Sequence, residues 1–517
     1  MRKTLLSFAL TTLTALSLSA KDYTDTLAVT VNSSTSKQTA TISVDQNNDG
    51  TYNFNLKNFM LRAEGQTMGI GNITLSNLRP AKSSKGDVVM FNDSINITNG
   101  DNPAVPFWMG PKLGKIPLDL KLLVNDNKLY TLIAIDMKKA LGQDIEVTFG
   151  DNYQLLNNGF ENYRTEKVTK QNALFNTETI NVEEPLNWHS FASATGDYAA
   201  AVNLLSDPHT FSSSVTRPGS TGSKSLLITS TSVFGITANG TVTTGRMQAG
   251  DFDTASTKNC AFLSLDSTST DSHGDPFYTR IDGTPDSLVV WVKFKQGTPS
   301  ATAPYATVSA ILTDGTYYQD PVDKEYTNVV AKANNSEIAS NGFVWQRIAI
   351  PFAYTESDKQ PKALLVTIST NAKAAQGSAT DSLYVDDISL IYNVGAPQVS
   401  VDGNNVTLSE NGEATAYAAD PDKAVLTLAT GSHGGFGAYS TLSTTSTQRT
   451  VQLLYATNDL REVKTYTLVI NKSQTAGISQ AKTATNYNEK TYDLSGREVK
   501  ATRHGNVYIV NGKKVLK

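Results

Sequence analysis

The sequence predicts an all-β chain built from several domains. Three observations lead there. Apolar residues alternate with polar ones over short runs such as Leu27–Val29–Val31 and Tyr52–Phe54–Leu56, the period of a strand with one covered face. Turn chemistry punctuates the runs, as in Asn47-Asn-Asp-Gly50, Arg217-Pro-Gly-Ser-Thr-Gly222 and Asp314-Gly315. Long helical periodicity is nearly absent. At 517 residues the chain is too long for one hydrophobic core, so three or four domains are expected. Charged residues are 18 % and apolar ones 39 %, with Ser, Thr, Asn, Gly and Asp filling the gap, which suits β-sandwiches with polar turns.

Residues 1–20 read as a signal peptide. Arg2 and Lys3 precede an apolar run from Leu5 to Leu18, and Ala20 offers a small residue for cleavage. The run is too short to span a bilayer comfortably. No later segment holds 18 uninterrupted apolar residues, so no transmembrane segment is expected and the protein is read as exported, to the outer-membrane surface, the medium or the periplasm. Removing residues 1–20 takes the net charge from −4 to −6, which argues against a nucleic-acid partner. Cys260 is the single cysteine, so no intrachain disulfide forms, and it is expected to be a buried, inert thiol.

Residues 21–150 form the first β unit. Leu129-Tyr-Thr-Leu-Ile-Ala-Ile135 and Ile145-Glu-Val-Thr-Phe149 add strands to those above. Phe54-Asn-Leu-Lys-Asn-Phe59, Gly71-Asn-Ile-Thr-Leu75, Trp108-Met-Gly-Pro111 and Ile133-Ala-Ile-Asp136 make this stretch resemble the calycin-like β-barrel domain of secreted bacterial proteins. The resemblance implies a barrel of eight strands or close to it.

Residues 151–393 are the central block. Leu288-Val-Val-Trp-Val-Lys-Phe294, Ala306-Thr-Val-Ser-Ala-Ile-Leu312 and Leu364-Leu-Val-Thr-Ile-Ser369 read as strands, several apolar on both faces. The block opens on Leu156-Asn-Asn-Gly-Phe-Glu161 and closes on Tyr384-Val-Asp-Asp387. Between them lie Trp188-His189, Ala238-Asn-Gly-Thr-Val-Thr-Thr-Gly-Arg246 and Trp345-Gln-Arg-Ile348. In this order the runs resemble the carbohydrate-metabolism domain family abbreviated PCMD, and the bracketing pair is similar to that of secreted sugar-binding jelly rolls. The resemblance implies a jelly-roll β-sandwich that handles carbohydrate. The block is expected to fold autonomously.

Residues 394–475 read as a small immunoglobulin-like β domain. Pro397-Gln-Val-Ser-Val401, Asn405-Val-Thr-Leu408 and Thr465-Tyr-Thr-Leu-Val-Ile470 are its strands, with Asp402-Gly403 as a hairpin turn. Residues 476–517 are a linker and tail. Tyr492-Asp-Leu-Ser-Gly-Arg-Glu-Val499 and Gly505-Asn-Val-Tyr-Ile-Val510 resemble a type A sorting tail of type IX secretion; a degenerate hairpin cap is the plainer reading.

Chemistry-bearing motifs are sparse. Asp45-Gln-Asn-Asn-Asp-Gly50 matches half of an EF-hand loop but places Leu56 where the bidentate Glu belongs, so a hairpin turn is expected. Gly219-Ser-Thr-Gly-Ser-Lys224 has the wrong spacing for a phosphate loop. The five His residues form no HxH or HExxH pair, and no G-x-S-x-G elbow supports a Ser-His-Asp triad. Among the tryptophans, Trp291 and Trp345 read as core, whereas Trp188, in a loop-like context, is the aromatic candidate for stacking on a sugar ring. His189 beside it, and Arg217 and Arg246 next to Gly-rich turns, are the candidate polar ligand contacts; surface salt bridges are the alternative for both arginines. Glu161, Asp386 and Asp387 either hold a structural Ca²⁺, as the jelly-roll resemblance implies, or cap turns by accepting backbone N–H groups.

The motifs predict a secreted or surface carbohydrate-binding protein with a role in glycan metabolism, binding glycan in the central block. Two alternatives stay open. One is a glycoside hydrolase using two carboxylates, although no pair is nominated by the sequence. The other is a cell-surface adhesion or structural protein with surface assembly partners.

Overall fold

A computed structural model of the protein describes residues 21–31, 34–63, 66–138, 142–150, 152–356, 359–473, 490–510 and 513–516. The expected signal peptide and most of the expected linker lie outside these residues. The described chain is almost entirely β, with one short α-helix, Ala199–Leu205.

The N-terminal unit is a barrel. Its strands are β1 (Lys21–Val31), β2 (Ser34–Gln46), β3 (Tyr52–Ala63), β4 (Gln66–Leu78), β5 (Pro80–Ser83), β6 (Gly86–Asn96), β7 (Lys115–Val124), β8 (Leu129–Met137) and β9 (Gln143–Phe149). Neighbours pair in the order β5-β6-β7-β8-β9-β1-β2-β3-β4. Closure comes just beyond β6, where Asn72 and Thr98 exchange backbone hydrogen bonds of 2.9 and 3.2 Å. Eight long strands therefore close the barrel, with β5 as an added short piece. Alternation fills the interior: Phe54 and Leu56 from β3 meet Leu118, Leu120 and Leu122 from β7 in one buried cluster. The Asn47–Gly50 segment is the β2–β3 turn, in which Asp49 accepts the Thr51 N–H at 3.0 Å.

β8 explains a run that alternation alone leaves ambiguous. Leu129, Ile133 and Ile135 face the barrel interior, while Tyr130 and Leu132 face outward. They are buried all the same, because the central unit packs on them. A strand covered on both faces is written as continuous apolar sequence.

The central unit is a β-sandwich. One sheet orders Thr210–Ser213, Ser225–Thr229, Ser382–Ile391, Ser287–Lys295 and Gln346–Pro351. The opposing sheet orders Thr241–Thr243, Ala363–Ser369, Ala306–Thr313, Val329–Ile338 and Ala353–Tyr354. Successive strands often switch sheets, the pattern of a jelly roll. Val290, Val292 and Phe294 from the first sheet meet Val308, Ala310 and Val366 from the second. A three-stranded flap, Arg246–Ala249, Asn259–Leu263 and Tyr318–Asp320, covers part of the second sheet's outer face through Met247, Leu263, Ile311 and Leu365.

The third unit is a smaller sandwich of Gln398–Val401, Asn404–Val406 and Leu426–Ala429 against Glu413–Ala418, Val463–Lys472, Gln448–Thr457 and Gly435–Thr444. Asp402 (φ 49°) and Gly403 (φ 79°) make the expected hairpin turn. Gly435–Thr444 also pairs with β5, Ala438 opposite Ser83 and Tyr439 opposite Lys82, so one sheet of 13 strands runs from the barrel into the third unit. The central core reaches across both junctions: Tyr130 and Leu132 from the outer face of the barrel and Phe436, Leu454 and Leu460 of the third unit belong to it. In the tail, Thr491–Tyr492, Val507–Val510 and Lys513–Leu516 form a separate small sheet.

Candidate functional site

The residues singled out in the sequence do not converge on one site. Trp188, expected at a sugar-binding surface, is fully buried at 0 % exposure. Its ring packs 5.1 Å from Phe160, and its Nε1–H donates to the Leu156 carbonyl at 3.2 Å. Indole area and the one donor are both satisfied inside, so this loop closes over the core rather than opening to a ligand.

His189 is buried too. Its backbone bridges to Thr243, with N···O distances of 2.8 and 2.9 Å. Its Nδ1 accepts from Arg164 Nη2 at 2.7 Å; since arginine can only donate, the imidazole is neutral at that atom. Burial and the Arg164 charge push the His189 pKa down to about 3. Arg164 itself is completely enclosed. It contacts Glu184 and Asp271, Glu166 at 3.0 Å and Asp275 at 3.3 Å. Burial raises the Glu184 pKa, against the lowering by Arg164 and Ser190. This network ties the hairpin Tyr163–Pro185 to the 264–277 loop. Arg246 lies beside it, its guanidinium 4.3 Å from the Phe277 ring, and Phe277 in turn packs 4.5 Å from His189. Neither His189 nor Arg246 lines the cleft bounded by Phe234 and Phe252.

Arg217 sits on the opposite sheet. Its Nε pairs with Asp387 Oδ2 at 2.5 Å, and its guanidinium lies 5.2 Å from the Trp291 ring. The backbone N–H of Arg217 donates to Asp386 Oδ2 at 2.9 Å. Glu161 accepts the N–H groups of Ser223 at 3.0 Å and Lys224 at 3.1 Å. The three carboxylates thus pin the two ends of the 217–224 loop to the sandwich, the capping role. Asp386, with burial its main cause, has its pKa raised to about 6, and its Oδ1 has no partner. One spare oxygen is far from the six to eight, roughly, that Ca²⁺ requires. A guanidinium already neutralises Asp387, and no three metal-ligating side chains converge among the described residues. Glu161, Asp386 and Asp387 do not fit a calcium site.

The site the structure offers lies elsewhere, on the outer face of the second central sheet. Along Ala306–Thr313, Ile311 is covered by the flap, while Thr307 and Ser309 are not. Along Ala363–Ser369, Leu365 is covered by the flap, and Thr367 and Ser369 follow beyond it, Thr367 partly exposed and Ser369 buried. The switch from apolar to hydroxyl residues on one face marks where the flap ends and a cleft of about 540 Å³ begins. Strand register sets its floor in two rows. Thr241, Ser369 and Thr307 form one; Thr367, Ser309 and Asn334 form the other.

Aromatic and aliphatic groups build the walls. The helix Ala199–Leu205 contributes Val202 and Leu205, with Tyr198 at its N-cap. Phe252, 71 % exposed, packs edge-on to Tyr198 at 5.4 Å. Across the cleft, Phe234 stands 80 % exposed at the tip of the hairpin Thr231–Val233/Ile236–Ala238. Phe234 (φ 50°) and Gly235 (φ 81°) make the two-residue turn. Such turns favour Asn or Asp followed by Gly, and an aromatic residue at positive φ is strained there. Sequence reasoning missed this site. Its signals were a Phe in a hairpin turn, Val233-Phe-Gly-Ile236, and a Phe between turn carboxylates, Asp251-Phe-Asp253.

Electrostatically the cleft is neutral to acidic. No Lys, Arg or His lines it. Asp320 is raised in pKa by burial, and Asp251 is lowered, first by the Asp253 N–H. Register puts Asp320 in line with Ala261 and Met247, with Asp251 four residues farther along. At about 4.8 Å per strand and 3.3 Å per residue, their backbones are roughly 16 Å apart. Paired glycosidase carboxylates are separated by at most about 9.5 Å. Cys260 lies in the wall, and burial pushes its thiol up to about 11, as an inert cysteine requires.

Comparison with known families agrees with the barrel. Residues 20–152 match the calycin-like beta-barrel domain family. The molecule is thus an all-β, multidomain protein that carries a calycin-like domain at its N-terminus. A search of curated proteins returned no significant match.

Proposed function

We propose that the protein is an exported glycan-binding protein that holds uncharged sugar chains in the central cleft. The observation that carries this reading is the pairing of a floor of ordered hydroxyl and amide side chains with exposed aromatic walls. Sugar rings present C–H faces that pack on aromatic planes and hydroxyls that exchange hydrogen bonds with Thr, Ser and Asn. The absence of basic lining residues favours neutral sugars over uronates or sulfates. The resemblance of residues 151–393 to carbohydrate-metabolism domains and the signal-peptide-like N-terminus point the same way. The spacing of Asp251 and Asp320 favours binding over hydrolysis.

A glycan array with the full chain, followed by Phe252→Ala and Phe234→Ala, tests the reading. Both rings are exposed, so their removal leaves the melting temperature nearly unchanged. Each loses one stacking contact, and affinity is expected to fall about five- to tenfold. Binding to no neutral glycan, or binding indifferent to both changes, refutes the proposal.

A further inference from the structure

The outer face of the other central sheet carries a different surface. Along Ser287–Lys295, Val290, Val292 and Phe294 point into the core, so Trp291, Lys293 and Lys295 point out. Register places Arg347 opposite Trp291 and Tyr384 opposite Lys293. Phe343 and Trp345 arrive from the turn before Gln346–Pro351. Trp345 and Phe343 pack 6.4 and 6.0 Å from Tyr384. Lys293 Nζ sits 4.3 Å from the Phe343 ring and 5.6 Å from that of Tyr384, and Lys295 Nζ is 5.8 Å from Phe343. Trp291 and Trp345, both expected in the core, are instead half-exposed on this face.

Two features call for a ligand. Lys293, Lys295 and Arg347 form no ion pair among the described residues, although the chain is net negative. The side-chain N–H groups of Trp291 and Trp345 donate to no acceptor among those residues. Rings hold the cations in place without neutralising them. From Trp291 to Lys295 the surface runs about 13 Å along the strand, room for a short stretch of polymer.

We propose that this face is a second binding site, for an acidic polysaccharide. Its carboxylates meet Lys293, Lys295 and Arg347, and its sugar faces lie on Trp345 and Tyr384. Charge complementarity selects this occupant. Three free cations suit a chain with one carboxylate per sugar, and the site is opposite in character to the cleft, which has no basic lining residue.

Affinity electrophoresis of the full chain with polygalacturonate, dextran and oligo-dT tests it. Polygalacturonate should bind, and dextran should not be affected by changes on this face. Lys293→Ala/Lys295→Ala should weaken polygalacturonate binding about tenfold or more and flatten its salt dependence. Trp345→Ala should weaken it as well, and Phe252→Ala should leave it unchanged. Lys295 is exposed, so Lys295→Glu gives a variant whose fold is not at risk and should act in the same direction. The proposal is overturned by failure to bind polygalacturonate, by binding indifferent to these lysines, or by loss of binding in Phe252→Ala. Tighter retention by oligo-dT assigns the face to nucleic acid, and a dimer dissolved by Trp345→Ala assigns it to a second copy; either result also overturns it. Because the cleft is read out by neutral glycans and Phe252, its standing is decided separately.

Discussion

His189 is held neutral by its surroundings, and that has a sign. In the folded chain its pKa is about 3, against an ordinary 6.5. Below pH 6.5 the unfolded chain takes up a proton that the folded one refuses, so the contribution of His189 is full above 6.5 and is lost as pH falls toward 3. The whole span is on the order of 5 kcal/mol. Glu184 acts in the opposite sense, since its raised pKa makes the folded state gain from acid. A comparison therefore isolates the histidine. Chemical denaturation of wild type and His189→Gln from pH 7 to 4 should show the steeper loss in wild type; parallel profiles would mean that burial and Arg164 do not hold the ring neutral. Its neighbour Trp188 separates packing from binding. Trp188→Ala should cost about 3–5 kcal/mol of stability. Glycan affinity of whatever remains folded should not change, and a selective loss of affinity would return Trp188 to the binding surface.

At the scale of the element, strand faces carry the argument. Thr367 and Ser309 sit opposite each other in the cleft floor, while Val308 and Ile368 behind them fill the core. Asn334 ends the same row and is exposed in the cleft, so for Asn334→Ala glycan affinity should drop about threefold to tenfold with a melting temperature within a degree or two. An unchanged affinity in a titration would remove this row from the site. The strands themselves were legible: Leu288–Phe294, Ala306–Leu312 and Leu364–Ser369 are all strands in the structure. The sites were not. Alternation says that Trp291 and Val292 face opposite ways, but not which face meets solvent. On the second sheet the same question is decided by the flap, which covers Ile311 and Leu365 and leaves Thr307 and Ser309 partly exposed. Trp188 was misread for the complementary reason: a loop sequence bounded by Pro185 and Asn187 gives no hint that Phe160, from 28 positions earlier, closes over it. Arg164, the centre of the buried ion network, has no local signature, since its partners lie at Glu184, Asp271 and Asp275.

Across the whole molecule, the central core extends into its junctions with the other two units, while the barrel and the third unit each keep an interior of their own. The central block was expected to fold by itself, yet its cluster includes Tyr130, Leu132, Phe436 and Leu454 from outside residues 151–393. Expressed alone, this block should melt at a lower temperature than the full chain and expose apolar surface that binds a hydrophobic dye; a full-length melting temperature in the isolated block would contradict a shared core. Polar contacts reinforce the junctions. Arg461 and Glu146 pair through two bonds of 2.8 Å between the third unit and the barrel. Asp286 accepts the N–H groups of His433 at 3.0 Å and Asn393 at 2.8 Å. Lys85 contacts Asn458 from within the same junction, and burial lowers its pKa to about 8. Such a lysine stabilises docking least when charged: its contribution is present above about 10.5 and is lost as pH falls through 8. Lys85→Met should therefore raise the melting temperature at pH 7, and a lower value would mean that its bond to Asn458 outweighs the cost of burial.

The pairing of β5 with Gly435–Thr444 joins two globular bodies through only two opposed residue pairs, Ala438 with Ser83 and Tyr439 with Lys82. That gives the molecule a mechanical grain. Load passed from the C-terminal sandwich to the barrel is carried by a ladder far shorter than the ten-rung pairing of β6 with β7 beside it. A pulling force would divide the 13-stranded sheet at this seam once the side-chain contacts across the junction, Arg461 with Glu146 among them, had given way.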